Sequence, residues 1–204
     1  IGVVFGDMMI SLANGNTFLA LVFSALACIV LGMGLPTTAS YVIAASIIAP
    51  ALTRLGIPIL AAHLFVFYYA CLSAITPPVA LAAYAAAGIS GGTPMKTAIE
   101  ACKVGFAGFI IPFMFVYNSA LMAVGTAGNV IWCAITGLVG VIAMSAGFQG
   151  WFFKKLNMVE RIIILIGGFA MVVPEIYTDY IGLAVVAVFF VLKKLVKKNQ
   201  ASKA

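Results

Sequence analysis

Long uncharged hydrophobic runs dominate this chain, and two of them are interrupted by short polar segments. The first run carries no charge across residues 8–53, far more than the roughly 20 residues with which one helix crosses a bilayer. Residues 32–40, GMGLPTTAS, break this run with two glycines, one proline and three hydroxyl side chains. The pattern predicts a re-entrant helical hairpin over residues 17–52, with limbs at about 17–31 and 41–52 and a polar tip between them.

The second long run is broken near its middle by residues 73–78, SAITPP. Its tandem prolines lack the amide hydrogen that a helix needs, and the first of them disfavours helical backbone at Thr76. We therefore predict a discontinuous crossing over residues 62–88, with half-helices at about 62–72 and 79–88. Irregular backbone at membrane depth persists only where protein buries it or where it lines a cavity, so the two breaks predict one ion or substrate site.

The remaining segments are predicted to be an arm at the membrane interface, several spans and a basic tail. They are the arm at 1–13, spans at about 104–123 and 128–148, and a short helical pair at about 158–174 and 180–192. Basic residues cluster in the 154–161 loop and in the tail, which places both in the cytoplasm, the acidic turn at 174–179 outside, and the hairpin open to the outer face. We predict two regions, a transport region at 1–122 and C-terminal membrane segments at 123–204.

Composition agrees with an all-α polytopic membrane protein. The 204 residues are 65% hydrophobic and 8% charged, a balance unlike that of soluble globular domains. The runs are apolar throughout, whereas the strands of a membrane barrel alternate apolar and polar positions. The net charge of +6 comes from the ends of apolar runs and from the tail, so it indicates orientation in the bilayer rather than nucleic-acid binding. The cysteines lack metal-ligand spacing and are interpreted as packing residues: Cys28, Cys71, Cys102 and Cys133.

The two breaks offer ligands for a cation and for an anion. Na⁺ prefers hard oxygen ligands, and the predicted ones are drawn from Gly32, Gly34, Pro36, Thr37, Ala74 and Thr76. The helix that starts near Pro36 directs the positive end of its dipole at the tip, which favours a carboxylate. The predicted substrate-binding residues are Thr37, Thr38, Ser40 and Ser73. No acidic residue is predicted in the core, which favours neutral Na⁺ ligands over a carboxylate proton relay, and no other cofactor is predicted.

Two rival functions remain open from the residues alone. Gly88, Ser90 and Gly92 satisfy the G-x-S-x-G pattern, which raises an intramembrane serine hydrolase. His63, the only histidine, would be its base, but the predicted crossing separates it from Ser90, and a packing role at the interface fits it better. A structural membrane subunit without a transport site is the other alternative.

The segments around both breaks resemble a known family. GMGLPTTASYVIAASIIAPAL and AAHLFVFYYACLSAITPPVALAAYAAAGI are similar to the second repeat of the large membrane subunit of tripartite ATP-independent periplasmic (TRAP) transporters. Within that family, GMGLPTTA beside ITPPVALAA resembles the variant whose small and large permease subunits are fused, usually served by TAXI-type binding proteins. The resemblance covers about residues 1–122, and residues 123–204 are similar to the extra C-terminal membrane segments of some fused members.

The resemblance implies the second half of an inverted-repeat secondary transporter with an elevator-like moving domain. Such a permease would take a small organic acid from a periplasmic binding protein and import it on a cation gradient, usually of Na⁺. It would lie in the cytoplasmic (inner) membrane of a bacterium or archaeon, with a cytoplasmic C-terminus. Residues 32–40 would be the tip of the second hairpin and residues 73–78 the unwound part of the next helix. The chain begins at Ile1 rather than at a start methionine and already within a hydrophobic pattern, so we expect it to be a piece of a longer polypeptide. The first repeat and the small-subunit helices are its expected partners.

Overall fold

The computed structural model of the chain describes residues 6, 8, 11–152, 154–172 and 176–201, and it divides into two compact units, Ile1–Met122 and Ala123–Ala204. The described part of each unit is helical, as predicted, apart from one two-residue antiparallel ladder in the second unit. Most of the predicted arm at residues 1–13 lies outside the described residues.

Between residues 16 and 122 the first unit contains six α-helices and one 3₁₀-helix. They are α1 (Thr17–Gly32), α2 (Thr37–Arg54), α3 (Ile59–Leu72), α4 (Leu81–Ser90), α5 (Pro94–Val104), α6 (Phe106–Tyr117) and the 3₁₀-helix Ser119–Met122. Helices α1, α2 and α3 pack against one another, α6 packs on α3, and α4 packs on α5. The core is apolar, with Leu21, Ile48 and Phe65 fully buried, and Phe113 of α6 meets the Phe65 ring edge-on.

Helix α1 begins and ends where the local sequence favours it. The side-chain oxygen of Asn16 accepts a hydrogen bond from the Leu19 amide at 3.2 Å, which caps the helix start. The helix ends at Gly32, and Gly34 then turns the chain with a φ of 79°, a left-handed conformation that glycine adopts without strain. Two glycines therefore define the first break.

Helix α2 begins at Thr37, next to the helix start predicted near Pro36 and before the limb predicted at about 41–52. The irregular tip is therefore shorter than the predicted residues 32–40. Pro36 stands immediately before the helix, and its restricted φ suits that boundary. The hydroxyl residues that were assigned to the tip therefore form the first turn of α2.

Helix α3 ends at Leu72 and α4 begins at Leu81, so the interruption falls at the predicted proline-rich segment. The observed helix ends lie within three residues of the predicted half-helices. Inside the break Ala80 adopts a φ of 36°, and the Ala82 amide donates a hydrogen bond to the Ala74 carbonyl at 2.9 Å. This bond ties the start of α4 to the residues that follow α3.

The segment with the predicted span at 104–123 contains a bend and a helix end. Helices α5 and α6 meet at Gly105 with a bend of 42°, and α6 ends at Tyr117, before the 3₁₀-helix. A Cβ at Gly105 would lie 3.0 Å from Cδ1 of Ile75 in the second break. The bend therefore occurs where a glycine lets this segment approach the break closely.

The second unit has three helices among its described residues. They are α7 (Ala127–Gln149), α8 (Met158–Val172) and α9 (Ile176–Ala201), with the ladder β1 (Trp151–Phe152) and β2 (Lys154–Lys155) between the first two. Helix α8 packs on both α7 and α9 through glycines. A Cβ on Gly168 would lie 3.1 Å from the Gly140 carbonyl oxygen, and one on Gly182 would lie 2.8 Å from that of Gly167.

The acidic turn of the second unit differs from its prediction. Helix α8 ends at Val172, and α9 starts at Ile176 rather than near residue 180. Asp179, predicted to be the last residue of that turn, therefore lies in the first turn of α9, where it is only 5% exposed. The start of the predicted turn, residues 174–175, lies outside the described residues.

Arg161 belongs both to the basic loop predicted at 154–161 and to the helix predicted at about 158–174. It lies in α8, and its Nε and Nη2 donate hydrogen bonds to the carbonyls of Gly147 and Phe148 at 3.0 and 2.9 Å. These carbonyls belong to the last turn of α7, which has no amide partners of its own. Arg161 therefore caps α7 as well as carrying a positive charge.

By length and apolar composition, one helix in the described part of the chain, α7, can cross a membrane alone. Helices α5 and α6 pass the same test as one bent segment. Helices α1, α3 and α4 and the Tyr177–Phe189 part of α9 are apolar but shorter. A short apolar helix thus precedes the first break, and short apolar helices lie on both sides of the second.

Candidate functional site

The two helix breaks meet at Gly32, the last residue of α1. A Cβ on Gly32 would overlap Oγ of Ser40 and would lie 2.5 Å from Oγ of Ser73. Ser40 belongs to the first turn of α2, and Ser73 directly follows α3. The absence of a side chain at Gly32 therefore lets the tip and the second break come into contact.

Ser40 and Ser73 direct their hydroxyls at one carbonyl. Oγ of Ser73 donates to the Ala70 oxygen at 2.7 Å, and Oγ of Ser40 lies 3.5 Å from it, at the long limit of a hydrogen bond. In a continuous helix this carbonyl would accept the amide of Ala74, which instead donates to Cys71 at 3.2 Å. Both serines are buried. At the break the Ala70 carbonyl therefore lacks its helical amide partner, and two buried hydroxyls take the place of that amide.

Two of the predicted substrate-binding residues, Thr37 and Thr38, are exposed at the start of α2. Pro36 precedes this helix, and no side chain caps its first turn. The Ser40 amide donates to the Pro36 carbonyl at 3.0 Å, so the amides of residues 37–39 have no acceptor within the helix. The four predicted residues therefore separate into a buried pair, Ser40 and Ser73, and an exposed pair at the helix start.

The predicted Na⁺ ligands of the second break already take part in hydrogen bonds. Oγ1 of Thr76 donates to the Leu72 carbonyl at 2.8 Å, and the Thr76 carbonyl accepts the Ala80 amide at 3.2 Å. The Ala74 carbonyl accepts the Ala82 amide at 2.9 Å. Carbonyl and hydroxyl oxygens keep a further lone pair in such bonds, so both residues can still ligate a cation.

The predicted ligands at the tip lie close to the second break at two points. One is Gly32, and the other is Gly34, where a Cβ would lie 3.7 Å from Cγ1 of Val79. Within the described part of the chain, Thr37 and Thr76 make no hydrogen bond to each other. Two glycines of the first break thus lie against the second break, and these two threonines have no direct bond between them.

Ser90 and His63 do not form a nucleophile and base pair. Ser90 is the last residue of α4, and its Oγ donates to the Ala87 carbonyl at 3.4 Å. Nδ1 of His63 lies 2.9 Å from the hydroxyl of Tyr41. The G-x-S-x-G motif requires a serine on a turn between a strand and a helix, whereas Ser90 ends a helix. The positions of Ser90 and His63 therefore do not support an intramembrane serine hydrolase.

A buried carboxyl in the second unit was missed by the sequence analysis. Oδ2 of Asp179 accepts hydrogen bonds from Nε1 of Trp132 at 3.1 Å and from Oγ1 of Thr136 at 3.4 Å. The expectation that the core contains no acidic residue is wrong for this unit. The sequence signal that could have indicated this site is the pair of donors Trp132 and Thr136, which are four residues apart and therefore lie on one face of a helix.

Comparisons with protein-family models match most of the chain. Residues 1–130 match the model described as "Tripartite ATP-independent periplasmic transporter, DctM component", and residues 130–197 match "Domain of unknown function (DUF3394)". Comparison with curated proteins and with solved structures gives no match. The DctM family is a family of membrane transporter proteins and not of enzymes. Its model covers more than half of the chain and both helix breaks, so this chain belongs to the DctM component family of TRAP secondary transporters.

Proposed function

We propose that residues 1–122 supply part of the substrate and cation cavity of a permease that imports a small organic acid with Na⁺. The observation that carries the proposal is the meeting of the two helix breaks at Gly32, with Ser40 and Ser73 buried against it. Broken helices in secondary transporters hold ions and substrates at such points, because their freed backbone groups need partners.

The polar atoms at this meeting point favour a hard monovalent cation. They are the hydroxyls of Ser40 and Ser73, which were assigned to the substrate from the sequence and which we here assign to the cation, and the carbonyl of Ala70, all neutral oxygens. The carbonyls of the Na⁺ candidates Ala74 and Thr76 belong to the same break. Hard cations prefer oxygen ligands, and a monovalent ion is stabilised by carbonyl and hydroxyl dipoles without a carboxylate. We therefore favour Na⁺ as the coupling ion.

The start of α2 favours a carboxylate substrate. Its first amides lack helical acceptors, no side chain caps it, and Thr37 and Thr38 are exposed beside it. Helix N-termini carry a partial positive charge and donate hydrogen bonds to anions. A small organic acid placed here would accept bonds from the amides and from both threonine hydroxyls. The negative substrate and the positive ion would then lie close together, and each would stabilise the other.

The proposed partners are a periplasmic binding protein and the rest of the permease. The family description names a periplasmic, ATP-independent system of three parts. The GMGLPTTA and ITPPVALAA motifs support the fused type, served by a TAXI-type binding protein. In this arrangement the first repeat and the small-subunit helices supply the other half of the cavity, the moving domain works as an elevator, and the tail of α9 lies in the cytoplasm of the cell.

Uptake into proteoliposomes tests this proposal. The complete transporter is reconstituted with its cognate binding protein, and uptake of radiolabelled organic acids is driven by an imposed Na⁺ or proton gradient. We expect uptake with the Na⁺ gradient, and we expect Thr37→Ala combined with Thr76→Ala to weaken it while expression stays normal.

Thr97→Ala is the matched control, because the Thr97 hydroxyl also donates to a helix carbonyl, at 3.1 Å, but lies outside both breaks. Unchanged uptake and unchanged cation dependence in the double variant would overturn the site assignment and favour a structural subunit. If neither the Na⁺ gradient nor the proton gradient drives uptake, the proposed secondary transport of these acids is overturned.

A further inference from the structure

We propose that Asp179 is a reversible proton-binding site in the second unit, formed together with Trp132 and Thr136. Protonation moves one proton from water onto the carboxylate and cancels one negative charge beside α7. All three residues belong to the second unit, and the inference does not depend on the function proposed for the helix breaks.

The first observation is the burial of this carboxyl in an apolar bundle. Asp179 is 5% exposed, although it belongs to the first turn of α9. Helix α9 is held close to α8 at Gly182, where a Cβ would lie 3.1 Å from the Met171 amide nitrogen. An ionisable residue inside such a bundle is costly to bury and is usually functional.

The second observation is the arrangement of the donors. Nε1 of Trp132 and Oγ1 of Thr136, one turn apart on α7, both donate to Oδ2 of Asp179, at 3.1 and 3.4 Å. The ring of Tyr180 packs on that of Trp132 with centroids 5.4 Å apart, which covers the indole. Two donors on one oxygen stabilise the ionised form and leave Oδ1 to accept a proton.

The third observation is the absence of a neighbouring cation among the described residues. In the described part of α8 the charged side chains are Glu160 and Arg161, at the end opposite to Met171, and Arg161 is bound to the α7 carbonyls. The other titratable groups beside the site are Cys133 of α7 and Tyr177 and Tyr180 of α9. Asp179 thus has hydrogen-bond donors and no cationic partner in the described residues.

These observations set two opposing effects against each other. Burial without a cation disfavours the charged carboxylate, whereas the two donors favour it. The relative size of the two effects sets the pH at which the carboxyl gains and loses the proton. Because the donors belong to α7 and the acceptor to α9, protonation changes the attachment between these helices, so proton concentration acts on the packing of the second unit.

Tryptophan fluorescence tests the proposal directly, since the chain has two tryptophans and Trp151→Phe leaves Trp132 as the sole reporter. The complete protein in lipid nanodiscs is titrated from about pH 4 to about pH 9, the range that buried carboxyls reach. We expect a one-proton transition in Trp132 emission that is absent after Asp179→Asn. Glu100→Gln, which removes an exposed carboxylate, is the matched control and should leave the transition unchanged.

Thr136→Val supplies a second test that keeps the carboxyl in place. Loss of one donor to the ionised form should move the midpoint to higher pH by up to about one unit. Infrared spectra should show the carbonyl band of a protonated carboxyl growing at the same midpoint. The proposal is overturned if Trp132 shows no transition, if the transition persists in Asp179→Asn, or, where that variant fails to fold, if Thr136→Val leaves the midpoint unchanged.

Discussion

The two units of this protein bury polar groups in different ways. The first unit interrupts its helices after Gly32 and after Leu72, and it buries neutral hydroxyls where the interruptions meet. In its described residues the second unit has helices without such breaks, packs them through glycines and buries the carboxyl of Asp179 among side-chain donors. In the first unit the buried hydroxyls replace the missing helical partner of a backbone carbonyl, whereas in the second unit the buried carboxyl is bonded by side-chain donors.

This difference separates two kinds of site. Backbone breaks supply several neutral oxygens at one point, which suits a cation that enters and leaves during transport. A single carboxyl between continuous helices instead suits a proton, because it needs no coordination shell. The same contrast determines what a glycine does in each unit. In the second unit glycine permits helix contact, and in the first it permits two breaks to meet.

The largest effect is expected for Gly182→Val in the second unit. A Cβ there would lie 2.8 Å from the Gly167 carbonyl and 3.1 Å from the Met171 amide, and these backbone atoms cannot rotate away. Helices α8 and α9 must separate, so we expect a loss of about 3 kcal/mol in the free energy of unfolding. Denaturant titration in detergent measures it.

Gly128→Val is its control, because nothing lies within 4 Å of a Cβ at Gly128. Equal stability of the Gly182 and Gly128 variants would contradict close packing of α8 and α9 through glycine.

A smaller stability effect with a larger functional effect is expected for Gly32→Ala in the first unit. The new Cβ would lie 2.9 Å from Cβ of Ser73, which cannot rotate away, so the two breaks must move apart. We expect a loss of about 2 kcal/mol in stability and a loss of most cation-driven uptake. Thermal unfolding and proteoliposome uptake measure the two effects.

Gly88→Ala serves as the comparison, since Gly88 is helical and open space surrounds its Cβ position. If Gly32→Ala transports as well as Gly88→Ala, the meeting of the breaks is not needed for function.

The smallest effect is expected for Arg161→Met, which tests the end of α7. The variant keeps most of the aliphatic stem but loses the bonds to the Gly147 and Phe148 carbonyls. We expect a loss of about 1.5 kcal/mol in stability, without a change in uptake. Arg161→Lys should recover only part of it, because lysine lacks the planar fork that reaches two carbonyls. Full recovery of stability in Arg161→Lys would show that the positive charge is sufficient and that the bonds to two carbonyls are not needed.

The sequence predicts the breaks well because glycine and proline act locally. The turn at Gly34 and the interruption around Thr76 follow from backbone rules that need no knowledge of the fold. The start of α2 at Thr37 lies between the two positions predicted for it, near Pro36 and near residue 41, because threonine and serine are compatible both with a polar tip and with a first helical turn. Local rules therefore predict the position of a break more accurately than the residues at which the flanking helices end and begin.

The contacts between distant segments could not be predicted from local patterns. Nothing around Gly32 indicates that Ser40 and Ser73 will both lie against it. Asp179 resembles an exposed turn residue until α7 brings Trp132 beside it, 47 positions earlier in the chain. These features depend on tertiary packing, which overrides the preference of a polar residue for the surface.

The central claim is that the two breaks form one cation site, and a double-mutant cycle on Ser40→Ala and Ser73→Ala tests it most directly. The quantity measured is the Na⁺ concentration for half-maximal uptake, expressed as a free energy for each variant. A second cycle pairs Ser40→Ala with Thr53→Ala, since the Thr53 hydroxyl bonds to Pro50 outside the breaks. We predict a coupling above about 0.5 kcal/mol for the serine pair and none for the control pair. Additive effects of Ser40→Ala and Ser73→Ala would contradict a shared site.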